Sequence, residues 1–307
     1  MNILSDEQIK ASLNWQQVLS ALEDAFKQKA NQPGFFKNPE RVPISVPGGT
    51  YLTMPCADEE GWFGVKQVSV LPDNPGKGLP SIHAWYTLFE PSGKPALACN
   101  ASLLTKFRTS AVSAVAAKHL AAVQAKTLLV IGTGALAPWM AEAHAQVRNY
   151  ERILLWGRSQ EKAQKVLESL AHLDAKLELA SDLESAVKRA DVISMATTAR
   201  QPILKGEWLK PGQHVDLVGA FIPEMAEADA ETIKRADIFV DDLKACEVEA
   251  GDLIQAEAQG WSWGLVYGDL AEVVSEQAGR QNPMRITLFK SVGLALEDLV
   301  VAKLLCQ

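Results

Sequence analysis

Residues 126–149, KTLLVIGTGALAPWMAEAHAQVRN, constrain the fold of this chain more than any other stretch. Residues 128–131 are a short, wholly apolar run of the kind that a strand buried on both faces of a parallel sheet needs. The run breaks into Gly132-Thr133-Gly134-Ala135-Leu136-Ala137, a G-x-G-x-x-A turn, and then into an alanine-rich helical stretch. Gly132 permits a tight turn, and Gly134 lets backbone N–H groups approach a pyrophosphate at the positive end of the helix. Ala137 is small enough for that helix to pack on the strand, and Pro138 falls in the first helical turn, where a missing N–H costs little. A glycine triplet alone occurs by chance in loops. Between this strand and this helix it reads as a dinucleotide-binding turn.

The rest of the chain is organised around that turn. After it, apolar runs at 152–156, 177–179, 191–196, 214–218 and 238–240 alternate with helical patterns at 160–171 and 182–189. Such alternation predicts a doubly wound parallel sheet with right-handed crossovers, a Rossmann-type domain over 121–286. Before the turn the texture differs. A helical pattern at 14–29 carries Val18, Leu19, Leu22, Ala25 and Phe26 on one face. From Gln32 onward Pro and Gly punctuate short runs at 41–46, 50–54, 64–70, 83–89 and 96–99, which read as a meandering sheet. Residues 71–80, LPDNPGKGLP, read as a loop, and 105–123 as a small-residue helix. A helical pattern is expected at 247–259 and another at 269–277. Residues 287–305 are expected to form one long amphipathic helix that joins the first domain. The fold class is therefore α/β, with a Rossmann domain beside an α+β domain built from 1–120 plus 287–307.

Composition excludes several functions. With 307 residues there is length for two real cores, and 48% hydrophobic with 22% charged residues is ordinary for a globular chain. A net charge of -7 argues against a nucleic-acid or anionic-membrane surface, so cations in a site would be local devices for a small anion. No signal peptide or membrane span is expected. Cys56, Cys99, Cys246 and Cys306 are scattered, as reduced thiols of a cytoplasmic protein would be, and the five dispersed histidines predict no metal site.

The tip of the second Rossmann strand bears on the choice of cofactor. An Asp or Glu there would hold the ribose hydroxyls of NAD. Here Ile153-Leu154-Leu155-Trp156 runs into Gly157-Arg158-Ser159 with no acid. Arg158 can make charge-assisted hydrogen bonds to a 2′-phosphate and Ser159 can add a second donor, which favours NADPH, with NADH as a poorer substitute.

Three cations of the first domain stand apart. Lys66 lies inside an apolar strand, Arg108 near the start of the small-residue helix, and Arg41 at the start of a strand. The ordered motifs Gly64-Val65-Lys66, Pro72-Asp73-Asn74-Pro75, Gly78-Leu79-Pro80, Phe107-Arg108-Thr109-Ser110-Ala111 and Val130-Ile131-Gly132-Thr133-Gly134 resemble the ornithine cyclodeaminase/mu-crystallin family. So do residues 218–225, VGAFIPEM, and 239–242, FVDD. The resemblance implies a homodimer in which Arg41, Lys66 and Arg108 face the nicotinamide. The arginines would bind a substrate carboxylate, and Lys66 the substrate nitrogen or carboxylate, with Lys66 as the catalytic group. The cofactor-binding set is then Gly132, Thr133, Gly134, Ala135, Leu136, Trp156, Arg158, Ser159, Thr197 and Phe221.

Family members of this kind include ornithine cyclodeaminases, alanine dehydrogenases, opine-type synthases and reductases of cyclic imino acids. Cyclodeaminases carry an acid just before a Met-Pro pair and an Asp after the glycines of the fifth strand. Here Tyr51-Leu52-Thr53-Met54-Pro55 and Gly219-Ala220-Phe221 have neither. The expectation is therefore an NADPH-dependent reductase of a cyclic ketimine carboxylate. An alanine dehydrogenase-like enzyme, a cyclodeaminase and a non-catalytic NADPH-binding protein stand as alternatives.

Overall fold

The structure is a computed structural model that describes residues 2–306. In chain order the first elements are β1 (Asn2–Leu4), α1 (Asp6–Ser12), α2 (Trp15–Asn31), β2 (Phe36–Lys37), β3 (Val42–Val46) and β4 (Gly49–Asp58). There follow β5 (Phe63–Val70), β6 (Ile82–Phe89), β7 (Pro95–Asn100) and α3 (Ala101–Leu120). Next come β8 (Thr127–Ile131), α4 (Ala137–Val147), β9 (Arg152–Trp156), α5 (Gln160–Ser169), β10 (Lys176–Leu179), α6 (Leu183–Arg189), β11 (Val192–Met195) and β12 (His214–Leu217). The chain closes with α7 (Ala230–Arg235), β13 (Ala236–Val240), α8 (Leu243–Glu249), α9 (Gly251–Glu257), β14 (Val266–Asp269), α10 (Leu270–Val274), β15 (Ile286–Lys290) and α11 (Ala295–Leu304). Among the described residues no helix is long and apolar enough to cross a membrane.

Two compact units result. One runs to Thr109 and resumes at Gly293, and the other is Ser110–Val292. In the first unit the sheet order is β1-β7-β6-β5-β4-β2, with β3 also on β4; β1 runs parallel to β7 and the other pairs are antiparallel. Ser5 starts α1 with a reciprocal capping box to Gln8, and Asn14 caps α2 by accepting from Gln17 N. The buried face of α2 is the expected one, Val18, Leu19, Leu22, Ala25 and Phe26. α11 packs on α2 and across β4 and β5.

The second unit holds the doubly wound sheet, parallel throughout, in the order β10-β9-β8-β11-β12-β15-β13-β14. Leu129, Ile131, Ile193 and Leu217 pack in the core on one face, and Leu128, Val130, Ile153 and Leu155 on the other. With both faces of β8 covered, 128–131 is apolar at every position, which is why it carries no alternation.

The expectation for 287–305 is corrected in its first third. Ile286–Lys290 is not helical but a fully buried strand between β12 and β13, and the helix starts only at Ala295. A mostly apolar run of five residues is too short for its period to distinguish strand from helix, so only the empty place in the sheet settles it. Gly293, at φ +80°, makes the break between them. The same strand belongs to the second unit, which ends at Val292. Within the second unit, Thr287 Oγ1 and Arg280 Nε donate to Leu120 O at 3.0 and 2.8 Å, holding the end of α3 in place.

Candidate functional site

In the first unit the pleat of β5 turns Lys66 inward, toward α11. Lys66 is 3% exposed and its Nζ lies 2.7 Å from Asp298 Oδ2, whose own side chain is fully buried. Arg108 of α3 reaches the same helix: its Nη1 is 2.8 Å from Glu297 Oε2 and its Nε 3.4 Å from Asp298 Oδ1. Arg41 donates from Nη2 to the carbonyl of Gly293. Gly293 is thus constrained twice, because a Cβ there would also overlap the Arg108 guanidinium. All three cations expected from the sequence converge on one turn and the first turn of one helix.

The helix supplies what the cations need. Glu297 and Asp298 sit in the first turn of α11, whose cap residue Leu294 makes no side-chain hydrogen bond, so the positive helix end faces two carboxylates. Sequence reasoning missed both acids. Their signal was two adjacent carboxylates inside LALEDLVVA, in which the flanking residues are buried on every side. Lys66 and Arg108 thus meet two carboxylates, and Arg41 is held to the turn before them, which gathers cations where a small anion could be received. Burial pushes the Lys66 amine down to about 8, the Arg108 charge pushes it further down, and Asp298 opposes both. An amine poised there can give up a proton near neutral pH.

The second unit presents a separate, aligned edge. Cα pairing matches Ile131 with Trp156 and Met195, Met195 with Leu217, and Leu217 with Lys290. The carboxyl ends of β9, β8, β11, β12 and β15 therefore end level, where ligands of open α/β sheets bind. The turn after β8 fits a pyrophosphate. Gly132 has φ +132°, a Cβ on it would sit 3.0 Å from Ala196 O, and Gly134 and Ala135 lie exposed at the start of α4 beside Thr133 and Leu136. Trp156 ends β9 half-buried, and Arg158 is exposed just beyond it. Ser159 does more than expected. It is the N-cap of α5, its Oγ accepting from Lys162 N at 3.3 Å, so only its hydroxyl proton remains to donate. Thr197 follows β11 and Phe221 follows β12, both half-buried. Reasoning from sequence also missed Glu227, which accepts from Thr197 N at 2.6 Å and from Gly219 N at 2.5 Å.

The whole described chain matches one family: the profile of the ornithine cyclodeaminase/mu-crystallin family aligns with residues 1–307. The chain belongs to the ornithine cyclodeaminase/mu-crystallin family. Within this family, it is similar to the Delta(1)-pyrroline-2-carboxylate reductase of Paracoccus denitrificans, 35% identical over 86% of this chain and 85% of that one. A solved structure of the Thermococcus litoralis Delta(1)-pyrroline-2-carboxylate reductase, in complex with NADH and L-proline, superposes with a TM-score of 0.94 at 35% identity, covering 100% of this chain and 96% of that one. An archaeal alanine dehydrogenase dimer with bound NAD gives a TM-score of 0.93 at 30% identity over 100% of this chain and 95% of that one. Against that family background, three of this member's thiols are inert by burial. Cys56 and Cys99 are pushed up to about 12, and Cys246 well above its usual range.

Proposed function

We propose that this chain is an NADPH-dependent reductase of cyclic ketimine carboxylates, converting Δ1-pyrroline-2-carboxylate to L-proline and Δ1-piperideine-2-carboxylate to L-pipecolate. The observation that carries the reading is the buried Lys66–Asp298–Arg108–Glu297 cluster, with Arg41 held to the same turn. When bound, the reduced nicotinamide supplies the hydride. Arg41 and Arg108 hold the substrate carboxylate, which orients the C=N carbon. Lys66, in its ammonium form, donates its proton to the ring nitrogen, because an iminium is the better hydride acceptor. Similarity to reductases that carry this name supports the reaction class. The reading includes a homodimer and a cytoplasmic location.

The deciding assay follows NADPH oxidation with the two cyclic imines, with pyruvate plus ammonia, and, in the reverse sense, ornithine with catalytic NAD or NADP. Turnover is expected with both imines, since one extra methylene against an apolar wall is worth only about 1–3 kcal/mol of discrimination. Ornithine is expected to give no ammonia and no proline. Its second ammonium would need a carboxylate where this chain has Phe221, and an unpaired buried ammonium costs several kcal/mol. Stoichiometric ammonia and proline from ornithine would restore the cyclodeaminase, and turnover of pyruvate with ammonia alone would make the enzyme an alanine dehydrogenase.

Cofactor choice rests on Arg158. Arg158→Asp should weaken NADPH by about 10- to 150-fold, the worth of a charged hydrogen bond, and leave NADH much less affected. Direct competition that already favours NADH in the wild type would reverse the assignment.

A further inference from the structure

Behind the level edge of the second sheet lies a buried ionic chain that the proposed reaction does not use. Its centre is Glu227, fully buried on the segment between β12 and α7. One carboxylate oxygen accepts from Thr197 N, after β11, and the other from Gly219 N, after β12. The backbone of Glu227 is held in turn: its N–H and that of Ala228 both donate to Asp252 Oδ1, at 2.6 and 3.0 Å. Asp252 Oδ2 lies 3.1 Å from Lys290 Nζ at the end of β15, and both side chains are fully buried. The two loops also touch directly, since a Cβ on Gly219 would overlap Thr197 O. One side chain therefore joins the ends of two neighbouring strands, and its backbone is held by Asp252 of α9, which is salt-bridged to the end of the third.

In a doubly wound fold the two halves of the sheet take the two halves of a dinucleotide. β8, β9 and β10, with the glycine turn and Arg158, form the adenosine half; β11 and β12 belong to the other. We propose that Glu227 is a positioning residue for the nicotinamide half of the cofactor, setting the spacing of the Thr197 and Gly219 loops through their two amides. This rests on the dinucleotide-binding reading above. Both amides need an acceptor, and the hydroxyl oxygen of a protonated carboxyl accepts far more weakly than a carboxylate oxygen, so protonation loosens the hold on one of them. Burial pushes the Glu227 carboxyl up to about 7, Asp252 raises it further, and Lys290 and the two amides pull it down. Asp216 of β12, itself pushed up to about 7, is a further acid coupled to the Glu227 charge.

The test compares NADPH with 2′-phospho-ADP-ribose, which lacks only the nicotinamide, by calorimetry. In Glu227→Gln one acceptor becomes a donor facing an amide. The variant should bind NADPH about 10- to 100-fold more weakly and the fragment within about twofold of wild type. Equal weakening of both ligands, or of neither, would overturn the proposal, because a purely structural role would not separate them. If the variant does not fold, the wild type serves: the ratio of the two affinities should shift against NADPH as the pH falls from 8.5 to 6. Effects of the 2′-phosphate cancel in that ratio, so a constant ratio would equally overturn it. Binding of the fragment with no binding of NADPH or NADH at any pH would overturn the cofactor reading itself and this proposal with it.

Discussion

Replacing Lys66 with Met should lower kcat by about 100- to 10,000-fold, the usual contribution of a positioned general acid, while leaving NADPH affinity within about twofold. The side chain is of similar length and lies buried, so the change removes a proton and a charge rather than packing. The pH profile gives the same test without a mutation. Because the ammonium form is the reactive one, and burial with Arg108 brings the amine down to about 8, kcat should fall as the pH rises through that value. Asp298→Asn removes the charge that helps hold the Lys66 proton on, so the alkaline limb should move to lower pH. Steady-state kinetics across pH 6 to 10 for the wild type and both variants would show this. A Lys66→Met enzyme with undiminished kcat would take Lys66 out of the mechanism, and an unmoved limb in Asp298→Asn would uncouple the two groups.

The largest stability effect should come from the other end of the same pair. Asp298→Ala leaves Lys66 buried at 3% exposure without its 2.7 Å partner, and takes a carboxylate from Arg108. Breaking a buried pair from one side costs about 3–5 kcal/mol, since the remaining charge has no water to replace its partner. The double variant Lys66→Met/Asp298→Leu removes both charges and fills the space with apolar groups, so it should recover more than half of that loss while remaining inactive. Urea unfolding of the wild type, the single and the double variants measures both numbers. A double variant no more stable than Asp298→Ala would show that the loss comes from Arg108 or from a cavity instead of the stranded amine.

These two experiments bear on a site that was partly legible before any fold was known. Lys66 stood out because a charge inside GVKQV has no reason to be there unless something receives it. What receives it could not be read. Asp298 lies 232 residues away and Glu297 is 189 residues from Arg108, and no local rule links positions so far apart. Glu227 was invisible for a related reason. Its value lies in two backbone amides, at Thr197 and Gly219, that every residue type but proline would offer equally.

The amino-acid sequence alone determined whatever depends on neighbours along the chain. The strand, glycine turn and helix of 128–147 follow from a run of apolar residues, a backbone that must reach φ +132° at Gly132, and a small residue at 137. The face of α2 follows from spacing, and its capping from Asn14. Tertiary structure alone decided the rest. Ile286–Lys290 became a strand because a place between β12 and β13 had to be filled, not because its own pattern distinguishes strand from helix. The charge state and direction of Lys66 were decided likewise. Desolvation by the packed sheet and a carboxylate on the last helix act on the amine only after distant segments meet.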